Sequence, residues 1–221
     1  MPDTPLPEWE ALLASAAHLQ RIVPEAVLVG GTAAASFAHH RVSVDHDHTL
    51  TDLRSRFDEI LATLESVAGW KTARVRRPVL ILGSPDGIET GVRQLIRETP
   101  LETETLEFAG EKLTVPTREE MLRIKAVLIV KRNATRDYLD FIALSELLGV
   151  ESTLLALEPF DRLYPQPNGQ SPRQQLQIQL ANPLPYDLEE TNLREYKRLK
   201  SEYQDWSTVA EKCRVLANRL W

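Results

Sequence analysis

The sequence predicts a mixed α/β (α+β) fold: a mixed β-sheet flanked by helices, followed by a mostly helical C-terminal region. Three observations predict it. An apolar run ending in Gly30-Gly31 leads through small residues to a second extended stretch that carries Asp45 and Asp47. The hydrophobic period falls to two between Lys71 and Val115. From Pro116 it returns to steps of three and four residues. The predicted division is a domain over residues 1–149 and a helical region over 150–221.

The elements follow in order. Trp9, Leu12, Leu13, Ala16, Leu19 and Ile22 fall near helical spacing and predict a helix from about Pro7 to Val23, with Pro24 interrupting it. Ala26–Val29 predicts a buried strand. Thr32 is placed to cap a short helix from Ala33 to about Ala38. Val42 and Val44 alternate with Ser43, Asp45 and Asp47, which predicts a strand from Val42 to His48. Asp52 opens a helix that Gly69 ends. Five stretches then read as strands: Lys71–Arg77, Pro78–Leu82, Gly87–Ile96, Thr105–Phe108 and Leu113–Val115. Ser84-Pro85-Asp86-Gly87 and Ala109-Gly110-Glu111 read as turns. Thr117 and Glu120 have capping-box spacing at the head of a helix that runs to about Arg132. A second helix spans Thr135 to Leu148 and stops at Gly149. Residues 163–185, with five prolines, predict an irregular connector. The tail from Leu188 to Trp221 predicts an amphipathic helix.

Composition excludes several classes. The 221 residues, 43% hydrophobic and 26% charged, are enough to build a real core. No apolar run is long enough to cross a bilayer, and MPDTPLPEWE has no secretory pattern. A single cysteine, Cys213, excludes an intrachain disulfide framework; it suits a reducing cytoplasm and reads as a buried helix thiol. A net charge of −6 argues against a protein that coats nucleic acid, while leaving room for a local basic groove. Arginines cluster at Arg74, Arg76 and Arg77, at Arg93 and Arg97, and at Arg123, Arg132 and Arg136.

The chemistry centres on Val27–Leu50. On a strand, Asp45 and Asp47 would share a face about 6–7 Å apart. Two carboxylates with substrate phosphates are the usual way to hold magnesium. Gly30 and Gly31 let the backbone approach a phosphate, and the helix start at Thr32 offers free N–H groups. Downstream, Asp137 and Asp140 share a helix face at i, i+3, and Lys125 lies on an otherwise apolar face. Four of the five histidines (His39, His40, His46, His48) fall within ten residues, so a metal-dependent phosphohydrolase using His46-Asp47 is a rival reading. A catalytically silent nucleotide- or protein-binding module is another.

Two motifs carry a resemblance. Gly-Gly-Thr, a short helix and Arg41-Val-Ser-Val-Asp45-His-Asp47 resemble the nucleotidyltransferases of the polymerase-beta-like superfamily. Lys125, Arg132 and Arg136-Asp137-Tyr138-Leu139-Asp140 are similar to the downstream motif of the AbiEii-like toxins, the nucleotidyltransferase partners in type IV toxin–antitoxin systems. The resemblance covers roughly Ala26 to Leu148. It implies a nucleotidyltransferase fold and Mg2+-dependent transfer of a nucleotidyl group from a nucleoside triphosphate to an acceptor hydroxyl, on an RNA such as tRNA. It implies that Asp45 and Asp47 bind the metal, and that Gly30, Gly31 and Thr32 contact the triphosphate. Lys125 would be catalytic and face the phosphates, with Asp137 catalytic beside it and Asp140 and Arg132 in support. It further implies a cognate antitoxin. Many superfamily members carry a third acid on a later strand, for which Glu89 is the candidate here; the toxins use basic residues there, which points to Arg93 or Arg97. His46 stands where the pattern has an apolar residue.

Overall fold

The computed structural model describes residues 9–85 and 87–220. They gather into two compact units: one takes the chain up to Ala33 and Ser43–Pro116, the other Ala34–Val42 and everything from Thr117. The division thus falls at Pro116, ahead of the two helices that the sequence assigned to the first domain.

In the first unit, α1 (Trp9–Ile22) buries Leu12, Leu13, Ala16 and Leu19. Pro7, in the predicted helix, and Asp86, in a predicted turn, lie outside the described residues. A five-stranded sheet has the order β1-β2-β5-β4-β3, formed by β1 (Val27–Val29), β2 (His46–Leu50), β3 (Trp70–Arg76), β4 (Leu80–Pro85) and β5 (Thr90–Gln94). β2 and β5 pair in parallel; the other neighbours are antiparallel. A parallel pair needs a crossover, here the stretch that includes α3 (Leu53–Glu65). One sheet face carries the core: Ile81 and Val92 pack with Leu53, Phe57, Ile60 and Leu64 of α3. β6 (Thr103–Phe108) and β7 (Glu111–Pro116) form a separate hairpin, with β7 against β1 and α1.

Two local differences from the sequence reading matter for the site. β2 begins at His46, not Val42, so Asp45 stands just ahead of the strand. Val42 N–H donates to the Lys197 carbonyl and Lys200 N–H to the His40 carbonyl, so the backbone before Ser43 is already committed within the second unit. Likewise α2 (Gly30–Ala38) starts at Gly30 itself, so Gly30 and Gly31 form its first turn and Thr32 is inside it.

In the second unit, α4 (Arg118–Arg132) and α5 (Thr135–Leu148) pack together, with α6 (Val150–Leu157) against α4, α7 (Phe160–Leu163) against α8 (Pro172–Ala181), α8 also against α4, and α9 (Trp206–Ala217) against α5. Thr117 caps α4 by accepting from Glu120 N–H, as its spacing predicted. The head of α5 has only Ala134 as its N-cap, and Asp187 supplies the missing oxygen: Oδ1 accepts from Thr135 N–H and Oγ1, both at 2.7 Å. The predicted connector contains a helix, α8, which begins at Ser171 accepting from Gln174 N–H, with Pro172 at its head. Conversely, the predicted tail helix is restricted to α9. Lys197 and Arg198 adopt φ of +43° and +51°, which breaks helical continuation, and only a 3₁₀ turn at Ser201–Tyr203 precedes Asp205, the α9 cap.

Candidate functional site

Asp45, Asp47, Glu89 and Arg93 line one cleft of the first unit, about 260 Å³, with Gly91, Leu82, Gly83 and Ser84 among its walls. β2 pairs with β5 so that Asp47 faces Gly91. A Cβ at residue 91 would stand 2.3 Å from Asp47 Oδ1. On its other side is Gly30, φ +77°, where a Cβ would lie 3.4 Å from Asp47 Oδ2. The carboxylate therefore occupies space that Gly91 leaves free, while a Cβ at Gly30 would only reach ordinary contact with it. Gly30 was singled out from the sequence; Gly91 was not, although a glycine inside a strand signals a close approach.

Asp45 is fixed by its backbone. Thr32 Oγ1 donates to its carbonyl at 2.5 Å, and Ser43 Oγ donates to its Oδ1 at 3.2 Å. Thr32, expected to cap α2, lies inside the first turn of that helix, and its hydroxyl holds Asp45 in place. Arg93 Nε donates to Asp47 Oδ1 at 3.1 Å, and its side chain is 47% exposed. Arg97, the other basic candidate on that stretch, donates to the Thr99 and Pro100 carbonyls.

Beneath the cleft, His46 and His48 are buried, as a strand alternation opposite Asp47 requires. His46 Nε2 meets Ser15 Oγ at 3.0 Å and Nδ1 meets Thr90 Oγ1 at 2.9 Å. Burial lowers its pKa to about 4, against a smaller opposite pull from Asp45. Both ring nitrogens are engaged, so His46 has no lone pair left for a metal. Among the described residues, no group of three or more His, Cys, Asp or Glu side chains is arranged to hold one. The histidine-based metal site of the rival reading therefore has no ligand set.

Lys125, Arg132 and Asp137 lie in the second unit, where they join a buried ion cluster. Asp140 is its hub: it accepts from His40 Nε2 at 2.7 Å, from Arg41 Nε at 2.8 Å and Nη2 at 3.0 Å, and pairs with Lys125 Nζ at 2.7 Å. Asp137 accepts from Arg132 Nε at 2.5 Å and Nη2 at 2.7 Å, with Lys125 Nζ at 3.7 Å. Lys125 has a side chain only 2% exposed. Its ammonium, implied at a phosphate, is held by carboxylates in this structure. Burial disfavours the charged form of Asp140, but the surrounding Arg41, Lys125 and His40 outweigh it and hold the carboxyl well below its usual range. Burial likewise lowers the His40 pKa despite its bond to Asp140. Arg41 and His40 were not assigned roles from the sequence; nothing in their spacing reveals a partner a hundred positions away.

The donor set near Asp47 fits magnesium. Asp45 and Asp47 supply two hard oxygen donors in one cleft, and a triphosphate with water would complete the shell, the usual way that ion is held.

No family model matches the chain. It is 32% identical over 124 residues to the mycolic acid-containing lipids exporter MmpL11 of Mycolicibacterium smegmatis. It is 33% identical, over a stretch of the same length, to the heme uptake protein MmpL11 of Mycobacterium tuberculosis. These stretches take in 55% of this chain but 13% and 12% of those proteins. No helix among the described residues is long and apolar enough to cross a membrane. Among solved structures, the antibiotic-resistance factor ANT(2'')-Ia aligns with a TM-score of 0.50 at 14% identity, covering 69% of this chain and 90% of that one. The chain has the nucleotidyltransferase fold that the two sequence motifs implied.

Proposed function

We propose that the protein is a magnesium-dependent nucleotidyltransferase that moves a nucleotidyl group from a nucleoside triphosphate to an acceptor hydroxyl. One observation carries the reading: on this fold, the Asp47 carboxylate has the room on its cleft that Gly91 leaves by lacking a Cβ, with Asp45 on the same cleft. Asp45 and Asp47 would hold the metal. Bound there, magnesium neutralises phosphate charge and lowers the pKa of an attacking hydroxyl. The acceptor oxygen would bond to the α-phosphorus as the bond to the departing pyrophosphate breaks, with the hydroxyl proton passing to water.

Arg93 is the cation nearest that chemistry and would move from Asp47 onto a phosphate. Gly30, Gly31 and the first turn of α2 offer backbone N–H groups to the same anion. Lys125, Arg132 and Asp137 enter through the resemblance. For Lys125 to meet a triphosphate, the phosphate would have to draw it from Asp140. An RNA acceptor, a role as the toxin of a type IV pair, a cognate antitoxin and a cytoplasmic setting rest on the resemblance.

The test is incubation with labelled nucleoside triphosphates, magnesium and total RNA, beside Asp45→Ala and Asp47→Ala. The expected result is metal-dependent label on RNA that both variants abolish. Saturable triphosphate binding without any label transfer would defeat the proposal and leave a silent nucleotide-binding module.

A further inference from the structure

β3 is one of the two edge strands of the sheet, and it carries Lys71, Arg74 and Arg76, all exposed. No ion pair among the described residues engages any of the three, whereas the next cation, Arg77, pairs with Asp58. On a chain of net charge −6, three adjacent unpaired cations form a local exception.

Their faces are set by an irregularity. In an unbroken strand, Lys71 and Arg74 are three residues apart and point to opposite sides. Here the pairing with β4 shifts between Thr72 and Arg74, so Ala73 is the extra residue of a bulge. Lys71 pairs with Ser84, Arg74 with Leu82 and Arg76 with Leu80. Those β4 partners alternate with Ile81, which is buried in the core beneath α3. All three cations therefore stand on the face opposite α3.

That is also the face of the cleft. One row of cross-strand partners runs Asp47–Gly91–Leu82–Arg74 through β2, β5, β4 and β3. Three interstrand steps of about 4.8 Å put the two ends about 14 Å apart. The row between them is low, a glycine and a leucine. The neighbouring row holds Arg93, Leu80 and Arg76. Charges on an edge strand also deter strand pairing. That purpose is served on either face and does not require a bulge that gathers every cation on the cleft side.

We infer that β3 is a binding strand for the phosphodiester backbone of a nucleic-acid acceptor, with Lys71, Arg74 and Arg76 holding successive phosphates while the strand's reactive end crosses Gly91 and Leu82 toward Asp47. The assignment of Asp47 to the transfer rests on the function proposed above; the backbone-binding strand does not.

The experiment is fluorescence anisotropy with a labelled single-stranded RNA, repeated across salt concentrations. It compares the full chain with a triple variant, Lys71→Ala, Arg74→Ala and Arg76→Ala. A control triple, Arg54→Ala, Arg162→Ala and Arg194→Ala, changes the net charge equally at exposed positions elsewhere. The β3 triple should lower RNA affinity about 10-fold or more at low salt, and reduce the salt slope by about 2, for three lost phosphate contacts. Binding of a fluorescent nucleoside triphosphate should be unchanged. The inference is overturned if the wild-type chain binds no RNA, if both triples lose affinity equally, or if the β3 triple weakens triphosphate binding and spares RNA. Asp47→Ala should keep RNA binding intact. RNA binding by the wild type without any transfer would count against the proposed reaction and leave the β3 inference standing.

Discussion

Gly91→Ala is the substitution that most directly questions the site. The added methyl would sit 2.3 Å from Asp47 Oδ1 and 3.1 Å from Leu82 Cδ2. A tolerable carbon–oxygen approach is about 3.3 Å, so the carboxylate must retreat by about 1 Å. Asp47 is short and partly exposed, so it can rotate, which sacrifices the Arg93 bond rather than the fold. Overpacking of this kind costs about 1–3 kcal/mol, read as a lower urea midpoint with an unchanged far-UV circular dichroism spectrum. The functional loss should be larger. A displacement of about 1 Å of a group that orients reactants costs on the order of 100-fold in rate. Two assays separate the effects: labelled nucleotidyl transfer measured well below the melting temperature, and Mn2+ affinity of the nucleotide-free protein by electron paramagnetic resonance. Both should fall while the fold persists. Transfer and Mn2+ affinity within threefold of wild type would refute the claim that backbone clearance at residue 91 positions Asp47.

Asp140→Ala should lower stability by about 3–5 kcal/mol, because it leaves Arg41 and Lys125 buried without their counter-charge; chemical denaturation checks this, and a loss below 1 kcal/mol would show that the cluster is not a buried network. His46→Leu should flatten the acid limb of the stability profile. The folded pKa of about 4 lies below the unfolded value near 6.5. The unfolded chain therefore binds the extra proton between those values, and stability is complete above about 6.5 and lost as pH falls toward 4, by at most about 3 kcal/mol. Urea midpoints at pH 7, 5.5 and 4.5 for both proteins give the comparison, and parallel profiles would remove His46 as a contributor.

The elements that local chemistry determines were legible in the sequence. Thr117 and Glu120 fixed the start of α4, Gly149 the end of α5, and the period-two stretches the strands β3 to β7. Where reading failed, a longer-range force decided. Val42 and Val44 alternate like a strand, but the backbone there bonds to Lys197 and His40 lies against Asp140. The Gln-rich stretch beyond Gly169 reads as too polar for a helix, yet Leu176 and Leu180 are fully buried at i, i+4. Ser171-Pro172 was a readable helix start that the surrounding prolines obscured. The cations of β3 could not be assigned a face, because sequence spacing does not reveal a bulge.

The two acidic motifs also looked alike in the sequence, Asp45-x-Asp47 and Asp137-x-x-Asp140, and the structure separates them by remaining hydrogen-bonding capacity. A carboxylate has about four lone-pair directions. Asp140 meets His40, two nitrogens of Arg41 and Lys125, which fills them; Asp137 receives both forks of Arg132 and lies beside Lys125. Asp140 has no room for a divalent cation without expelling a buried charge, a cost of several kcal/mol; Asp137 is occupied by the Arg132 fork, whose side chain is 36% exposed. Asp47 meets one half-exposed guanidinium that can swing away into water. The same chemistry therefore separates the two pairs: in the proposed reaction Asp45 and Asp47 would take the metal, whereas Asp140 neutralises the buried cations Arg41 and Lys125, and Asp137 pairs with Arg132.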